Sequence, residues 1–128
     1  MRAMVIDDSR AMRMILKRIV AKLNFETVEA GDGQEALDLL AAMTEVPDLA
    51  LIDWNMPVMN GLEFVTKVRA DARLREMTLV MVTTESEQNQ IVRALAAGAH
   101  EYVIKPFTEG AMIEKLALLG LVPSGASS

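Results

Sequence analysis

The 128-residue sequence contains no cysteine and a single histidine. These absences exclude disulfide bonds, thiolate zinc sites and clusters of histidine ligands. Aromatic residues make up only 4% of the chain and hydrophobic residues 52%, so the core is aliphatic and the chain is not disordered. No apolar run approaches the roughly 20 residues that a membrane span requires. We therefore expect no membrane insertion and a cytoplasmic location.

Positive charge is in the minority. Thirteen Lys and Arg residues against eighteen Asp and Glu residues give a net charge of −5. This sign repels the phosphate backbone of nucleic acids, so we expect no direct nucleic-acid partner. Any bound metal must be a hard cation with oxygen ligands, such as Mg²⁺ or Mn²⁺.

Five short aliphatic runs alternate with segments of helical periodicity. The runs cover residues 3–6, 25–29, 49–52, 79–82 and 102–104. This repeated (βα) pattern predicts a flavodoxin-like, three-layer α/β fold with five parallel strands in the order 2-1-3-4-5. Predicted helix starts lie near Ser9, Asp32, Met59-Asn60-Gly61, Ser86 and Thr108. One domain is expected over residues 1–120, followed by a short tail or the start of a linker at 121–128.

Polar residues follow the predicted strands at the edge where parallel strands end. They are Asp7 and Asp8 after strand 1, Asp53 after strand 3, Thr83 and Thr84 after strand 4, and Lys105 after strand 5. Neighbouring strands lie about 4.8 Å apart, so these side chains can share one pocket. Three crowded carboxylates repel one another, and a bound Mg²⁺ or Mn²⁺ ion relieves that repulsion.

Such a site favours phosphoryl chemistry. Lys105 and the Thr83 hydroxyl can hold phosphoryl oxygens, which leaves Asp53 as a nucleophile that forms an acyl phosphate. Taken singly, Thr83 also fits a turn and Lys105 a solvated charge. His100 is expected on a solvated turn with no role. The convergence of four strand ends favours the functional interpretation.

These residues resemble the receiver domain of bacterial response regulators from Met4 to about Leu119. The motifs that carry the resemblance are Asp7-Asp8, Asp53-Trp54-Asn55-Met56-Pro57 followed by Met59-Asn60-Gly61, Thr83-Thr84-Glu85, Tyr102 and Lys105-Pro106-Phe107. The resemblance implies that Asp53 is the phosphoacceptor. It also implies that Asp8, the Asp53 carboxylate and the backbone carbonyl of Asn55 hold Mg²⁺, with Asp7 acting through a water.

The resemblance assigns further roles at the same edge. Lys105, Thr83 and Thr84 would bind the phosphoryl group, and Tyr102 would be a switch that turns inward when Thr83 moves. A cis Lys105-Pro106 bond is expected as well. Thr84 replaces a residue that is usually small, which narrows access to phosphorylated Asp53, and Asn60 replaces the usual Asp with a minor effect.

The expected function is that of a stand-alone response regulator in chemotaxis or motility. A histidine kinase or phosphotransfer protein would donate the phosphoryl group, and phosphorylation would change which target protein docks. The chain would catalyse only its own phosphorylation and dephosphorylation. The alternatives are a Mg²⁺-dependent phosphohydrolase with an aspartyl nucleophile, an FMN carrier, and a docking scaffold that is independent of phosphorylation.

Surplus apolar residues predict where the target docks. If the buried stripe of helix 4 is formed by Val92, Ala96 and Ala99, then four apolar or aromatic residues lie near one surface: Ile91, Leu95, Tyr102 and Ile104. Exposed aliphatic residues beside an aromatic mark a contact surface. The resemblance implies the same docking face, built from helix 4, strand 5 and helix 5.

Overall fold

The computed structural model describes residues 1–121, in which strands and helices alternate. The strands are β1 (Arg2–Ile6), β2 (Glu26–Ala30), β3 (Leu49–Ile52), β4 (Thr78–Thr83) and β5 (Glu101–Ile104). The helices are α1 (Arg10–Lys22), α2 (Gly33–Ala42), α3 (Gly61–Ala70), α4 (Gln88–Ala97) and α5 (Glu109–Leu118), and a 3₁₀ turn (Ala72–Leu74) precedes β4. Of the tail expected at 121–128, residues 122–128 lie outside the described residues, and Leu121 is buried.

The five strands form one parallel sheet in the order β2-β1-β3-β4-β5, which confirms the predicted fold class. Ile6 at the end of β1 pairs with Ile52 at the end of β3. The N–H of Asp53 then donates to the carbonyl of Ile6 at 2.9 Å. This register places the residues that follow β1 and β3 side by side.

Alternating side chains of the strands pack into two hydrophobic cores, one on each face of the sheet. Ala3 and Val5 point to a layer that is closed by α1 and α5, whereas Met4 and Ile6 point to a layer that is closed by α2, α3 and α4. Each large aliphatic side chain buried in this way contributes about 1.5–3 kcal/mol. The three layers hold the strand ends in fixed positions.

Side-chain caps fix where most helices begin. Ser9, Asp32, Asn60 and Thr108, which lie at the predicted helix starts, each accept a backbone N–H from the first turn of their helix. Helix α4 differs, because it begins at Gln88 rather than near Ser86. Its N-cap residue, Glu87, makes no side-chain cap hydrogen bond, so the local sequence gives only a weak signal for this start.

The orientation of α4 corrects the predicted buried stripe. Val92 and Ala96 are exposed, whereas Ala94 is fully buried and Ile91 packs against the core. Ala99 is buried as expected, although it lies beyond the end of the helix. Apolar residues occupy most of the circumference of α4, so the sequence pattern does not fix which side faces the sheet. Among residues 1–121, no helix is long and apolar enough to cross a membrane.

Candidate functional site

Three carboxylates converge where β1 and β3 end. An oxygen of each of Asp7, Asp8 and Asp53 lies within 4.8 Å of the other two. Asp7 and Asp53 are 1% and 7% exposed, whereas Asp8 faces solvent. The parallel register of the two strands produces this acidic pocket, as the positions of the residues in the sequence predicted.

A hydroxyl and an ammonium group lie at the same edge. Lys105, which follows β5, places its Nζ 2.7 Å from Asp7 Oδ2 and 3.7 Å from Asp53 Oδ1. Thr83, the last residue of β4, is fully buried, and its Oγ1 accepts the N–H of Glu85 at 3.4 Å. The pocket therefore combines three acidic groups with a lysine and a threonine.

The electrostatics of the pocket leave an excess of negative charge. Burial raises the pKa of Asp53 above its ordinary value, and the charge of Asp7 raises it further. Lys105 and Thr83 act in the opposite direction without cancelling the shift. Because one lysine faces three carboxylates, the donor set fits a hard divalent cation such as Mg²⁺.

The two oxygens of Asp7 are already engaged within the protein. Oδ1 accepts the N–H of Ser9 at 2.8 Å, and Oδ2 accepts Lys105 Nζ at 2.7 Å. Asp8 is exposed, and Asp53 is 7% exposed against 1% for Asp7. This arrangement agrees with an indirect role for Asp7 and leaves Asp8 and Asp53 as the more accessible carboxylates.

The loop after Asp53 depends on a close approach at Gly61. A Cβ atom at Gly61 would lie 2.2 Å from the carbonyl oxygen of Asp53, so a side chain cannot fit there. Asn60 accepts the N–H of Glu63 at 2.9 Å, and Glu63 accepts the N–H of Asn60 at 3.2 Å. The Asn60 substitution therefore keeps the capping box that begins α3.

Glu85 joins the pocket to Tyr102 on β5. Its side chain accepts Asn55 Nδ2 at 3.2 Å, and its carbonyl accepts the Tyr102 hydroxyl at 2.7 Å. The tyrosine ring is buried, and burial, together with the nearby Glu85 and Asp53, raises its pKa. No role for Glu85 was predicted from the sequence, because nothing in its local pattern indicates that it joins Asn55 to Tyr102.

Comparison with known proteins gives a consistent assignment. Residues 3–117 match the response regulator receiver domain family. The chain is 43% identical to the chemotaxis protein CheY1 of Helicobacter pylori, over 93% of this chain and 96% of that protein. It is 46% identical to a chemotaxis protein CheY homolog of Campylobacter jejuni, over 91% of this chain and 89% of that protein.

The chain belongs to the response regulator receiver domain family.

Its fold agrees with this assignment. The high-resolution structure of the chemotaxis response regulator CheY4 of Vibrio cholerae superimposes with a TM-score of 0.83 at 30% identity, covering 92% of this chain and 97% of that one. Receiver domains typically bind Mg²⁺, and the acidic pocket has the ligand chemistry for it. The Lys105–Pro106 peptide bond of this receiver domain is cis, as the resemblance implied.

The remaining predicted residues lie around the pocket and on α4 and β5. Thr84 is exposed at the rim, immediately after Thr83. Leu95 and Ile104 are each 42% exposed. Ile91 packs against the core and Tyr102 is buried, so these two residues lie beneath the predicted docking surface rather than on it.

The structural roles of two residues, His100 and Arg13, were not predicted from the sequence. His100 has a structural role, since its Nδ1 accepts the N–H of Leu79 at 3.1 Å and lies 3.0 Å from Arg69 Nη2. Arg13 on α1 donates to the carbonyl oxygen of Asp7 at 2.6 Å. The His100 contacts join residues 21 and 31 positions apart, and the Arg13 contact depends on how α1 packs, so local sequence patterns do not reveal them.

Proposed function

We propose that this receiver domain accepts a phosphoryl group on Asp53 from a histidine kinase or a phosphotransfer protein, with Mg²⁺ or Mn²⁺ present. The resulting signal would act in chemotaxis or motility, in the cytoplasm. One observation carries the proposal: Asp53 is buried among like charges at the edge where Thr83 ends β4 and Lys105 follows β5. Chemotaxis is favoured by the names of the relatives from Helicobacter and Campylobacter.

The proposed chemistry uses each group of the pocket. A carboxylate oxygen of Asp53 attacks the phosphorus of a phosphohistidine, and the P–N bond breaks as the new P–O bond forms. The leaving imidazole nitrogen takes up a proton, and the product on Asp53 is an acyl phosphate. Burial favours the attack because a poorly solvated carboxylate is a stronger nucleophile than one in bulk water.

Lys105 and Thr83 would bind the oxygens of the transferred group. The ammonium is a point charge already held in the pocket by Asp7, and the threonine hydroxyl is a donor that can turn towards a new oxygen. Asp8, the Asp53 carboxylate and the backbone carbonyl of Asn55 would hold the cation, with Asp7 acting through a water. When bound, the cation offsets the negative charge of the carboxylates and the phosphoryl oxygens.

Phosphorylation would be read through Thr83 and Tyr102. Movement of Thr83 towards the phosphoryl group would change the packing around the ring of Tyr102, which lies on the neighbouring strand. The target would dock on the face of α4, β5 and α5, where four large aliphatic side chains are exposed: Val92, Leu95, Ile104 and Leu118. Exposed aliphatic residues on adjacent elements favour a protein contact surface.

Labelling by a small phosphodonor tests the proposal. With Mg²⁺ present, mass spectrometry should find one phosphoryl group, located on Asp53. The Asp53→Asn variant should remain unlabelled, and Asp38→Ala, which alters an exposed carboxylate on α2, should label as the wild type does. Labelling that persists in Asp53→Asn, or that is equal in excess chelator, would refute the proposal. Sustained release of phosphate from a monoester would favour the phosphohydrolase instead.

A further inference from the structure

Arg13 connects the acidic pocket to β2, the outermost strand on one side of the sheet. Its Nη1 donates to the carbonyl oxygen of Asp7 at 2.6 Å, and its Nε donates to Glu29 Oε1 on β2 at 3.0 Å. The Arg13 side chain is only 17% exposed. A guanidinium that is largely withdrawn from water needs such partners, and its planar donors hold both at once in a fixed geometry.

Glu29, the partner of Arg13 on β2, contacts a second cation. Glu29 accepts hydrogen bonds from both Lys17 and Arg13, and these bonds lower the pKa of its carboxyl group. Glu29 therefore stays ionised at neutral pH and remains paired with the Arg13 guanidinium. The Arg13 contact thus ties the end of β1 to a charged partner on a neighbouring strand.

The carbonyl that Arg13 holds belongs to the peptide between Asp7 and Asp8. Because a peptide unit is planar, fixing its oxygen also fixes the nitrogen and the Cα atom of Asp8. On the other side of Asp8, the N–H of Ser9 donates to Asp7 Oδ1 at 2.8 Å, and Ser9 caps α1. Asp8 is exposed, and these two contacts hold the backbone on both sides of the residue that carries its carboxylate.

We propose that Arg13 is a positioning residue of the acidic pocket, which orients the Asp7–Asp8 peptide so that the Asp8 carboxylate points towards a divalent cation shared with Asp53. This inference rests on the proposed function, since it assumes that the pocket binds Mg²⁺.

Mg²⁺ binding by the Arg13→Ala variant tests this role, with the fluorescence of the single tryptophan, Trp54, or calorimetry as the readout. We expect the variant to bind Mg²⁺ about tenfold more weakly than the wild type, as is typical when a residue that orients a metal ligand is lost. The direction of the change in Mg²⁺ affinity distinguishes a positioning role from an effect of charge. Loss of a positive charge beside an acidic pocket would by itself strengthen cation binding, whereas loss of orientation weakens it.

Two further variants complete the design. Arg13→Lys keeps the charge but loses the two-point contact, so it should also bind Mg²⁺ more weakly, and it carries the test if Arg13→Ala does not fold. Arg18→Ala removes an exposed arginine from the same helix and should bind within about twofold of the wild type, because exposed charges are screened.

Unchanged or tighter Mg²⁺ binding in both Arg13 variants would overturn the positioning role while leaving the proposed function intact. An equal loss in Arg18→Ala would also overturn it, because the effect would then not be specific to the Asp7 contact. No saturable Mg²⁺ binding by the wild type would overturn the proposed function and this inference together.

Discussion

The two edges of the sheet use charged side chains in opposite ways. At the edge where the strands end, Asp7, Asp8 and Asp53 crowd together with Lys105. At the edge where the strands begin, Arg69 donates to the carbonyl oxygens of Gly98, Arg75 and Met77 and contacts His100. Charges that are fully partnered stabilise the fold, whereas like charges that remain crowded mark a place for a ligand.

The largest predicted effect lies at the edge where the strands begin. Arg69→Ala would leave three carbonyl groups without this donor, and we expect it to lower the free energy of unfolding by about 3 kcal/mol. Arg75→Ala removes an exposed arginine from the same region and should change that free energy by no more than about 0.5 kcal/mol. Urea unfolding in the presence of chelator measures both. Equal losses in the two variants would mean that the hydrogen bonds of Arg69 do not support this edge.

The next effect concerns target docking. Because Ile91 packs on the core and Tyr102 is buried, substitutions there would disturb the fold, and the exposed Leu95 and Ile104 give cleaner tests. Leu95→Asp or Ile104→Asp should weaken binding of the phosphorylated chain to its target about tenfold, equivalent to about 1.4 kcal/mol, without preventing phosphorylation.

Met14→Asp places the same charge on an exposed apolar position of α1 and serves as the matched control for docking. Titration of each phosphorylated variant with the target protein gives the affinities. If Met14→Asp loses affinity while Leu95→Asp and Ile104→Asp keep it, the target docks on α1 rather than on the face of α4 and β5.

Neutralising a carboxylate of the acidic pocket should raise the free energy of unfolding, whereas Arg69→Ala should lower it. Asp53→Asn removes a buried carboxylate whose pKa is raised by burial and by Asp7, so we expect the metal-free protein to become more stable by about 1 kcal/mol. Asp8→Asn should stabilise by only a few tenths of a kcal/mol, because Asp8 is exposed and screened. Urea unfolding in chelator provides the comparison, and a loss of stability in either variant would contradict the repulsion argument.

The smallest effect is a pH dependence at His100. Burial and the charge of Arg69 hold the pKa of His100 below its usual range, while a hydrogen bond to the backbone of Leu79 acts in the opposite sense. The folded chain therefore releases this proton more readily than the unfolded chain. Stability from neutral His100 is fully present above a pH of about 6.5 and is lost as the pH falls through the lower, folded pKa.

His100→Asn isolates this effect, because an amide oxygen can accept the N–H of Leu79 but does not titrate. We expect the stability difference between wild type and variant to shift by a few tenths of a kcal/mol between pH 8 and pH 5, with the wild type losing more. Thermal unfolding at the two pH values measures it. Parallel losses in both proteins would show that His100 does not titrate in this range.

The parts of the site that follow strand ends were predictable, because a parallel sheet brings all its carboxyl ends to one edge. The caps Ser9, Asn60 and Thr108 were also predictable, since capping depends on neighbours within one turn. The Arg13 contact with Asp7 was not, because the reach of a long side chain depends on how α1 packs. The exposure of Val92 was mispredicted for a related reason, as packing rather than periodicity set the rotation of α4.

The effect of Mg²⁺ on the stability of the wild-type chain tests most directly whether the acidic pocket is a cation site. If the crowded carboxylates form a cation site, the free energy of unfolding should rise with the logarithm of Mg²⁺ concentration, by about 1.4 kcal/mol at ten times the dissociation constant. Urea unfolding at constant ionic strength, with Na⁺ replacing Mg²⁺ in the control, gives this dependence. A free energy of unfolding that is the same in chelator and in millimolar Mg²⁺ would show that the crowded carboxylates do not form a cation site.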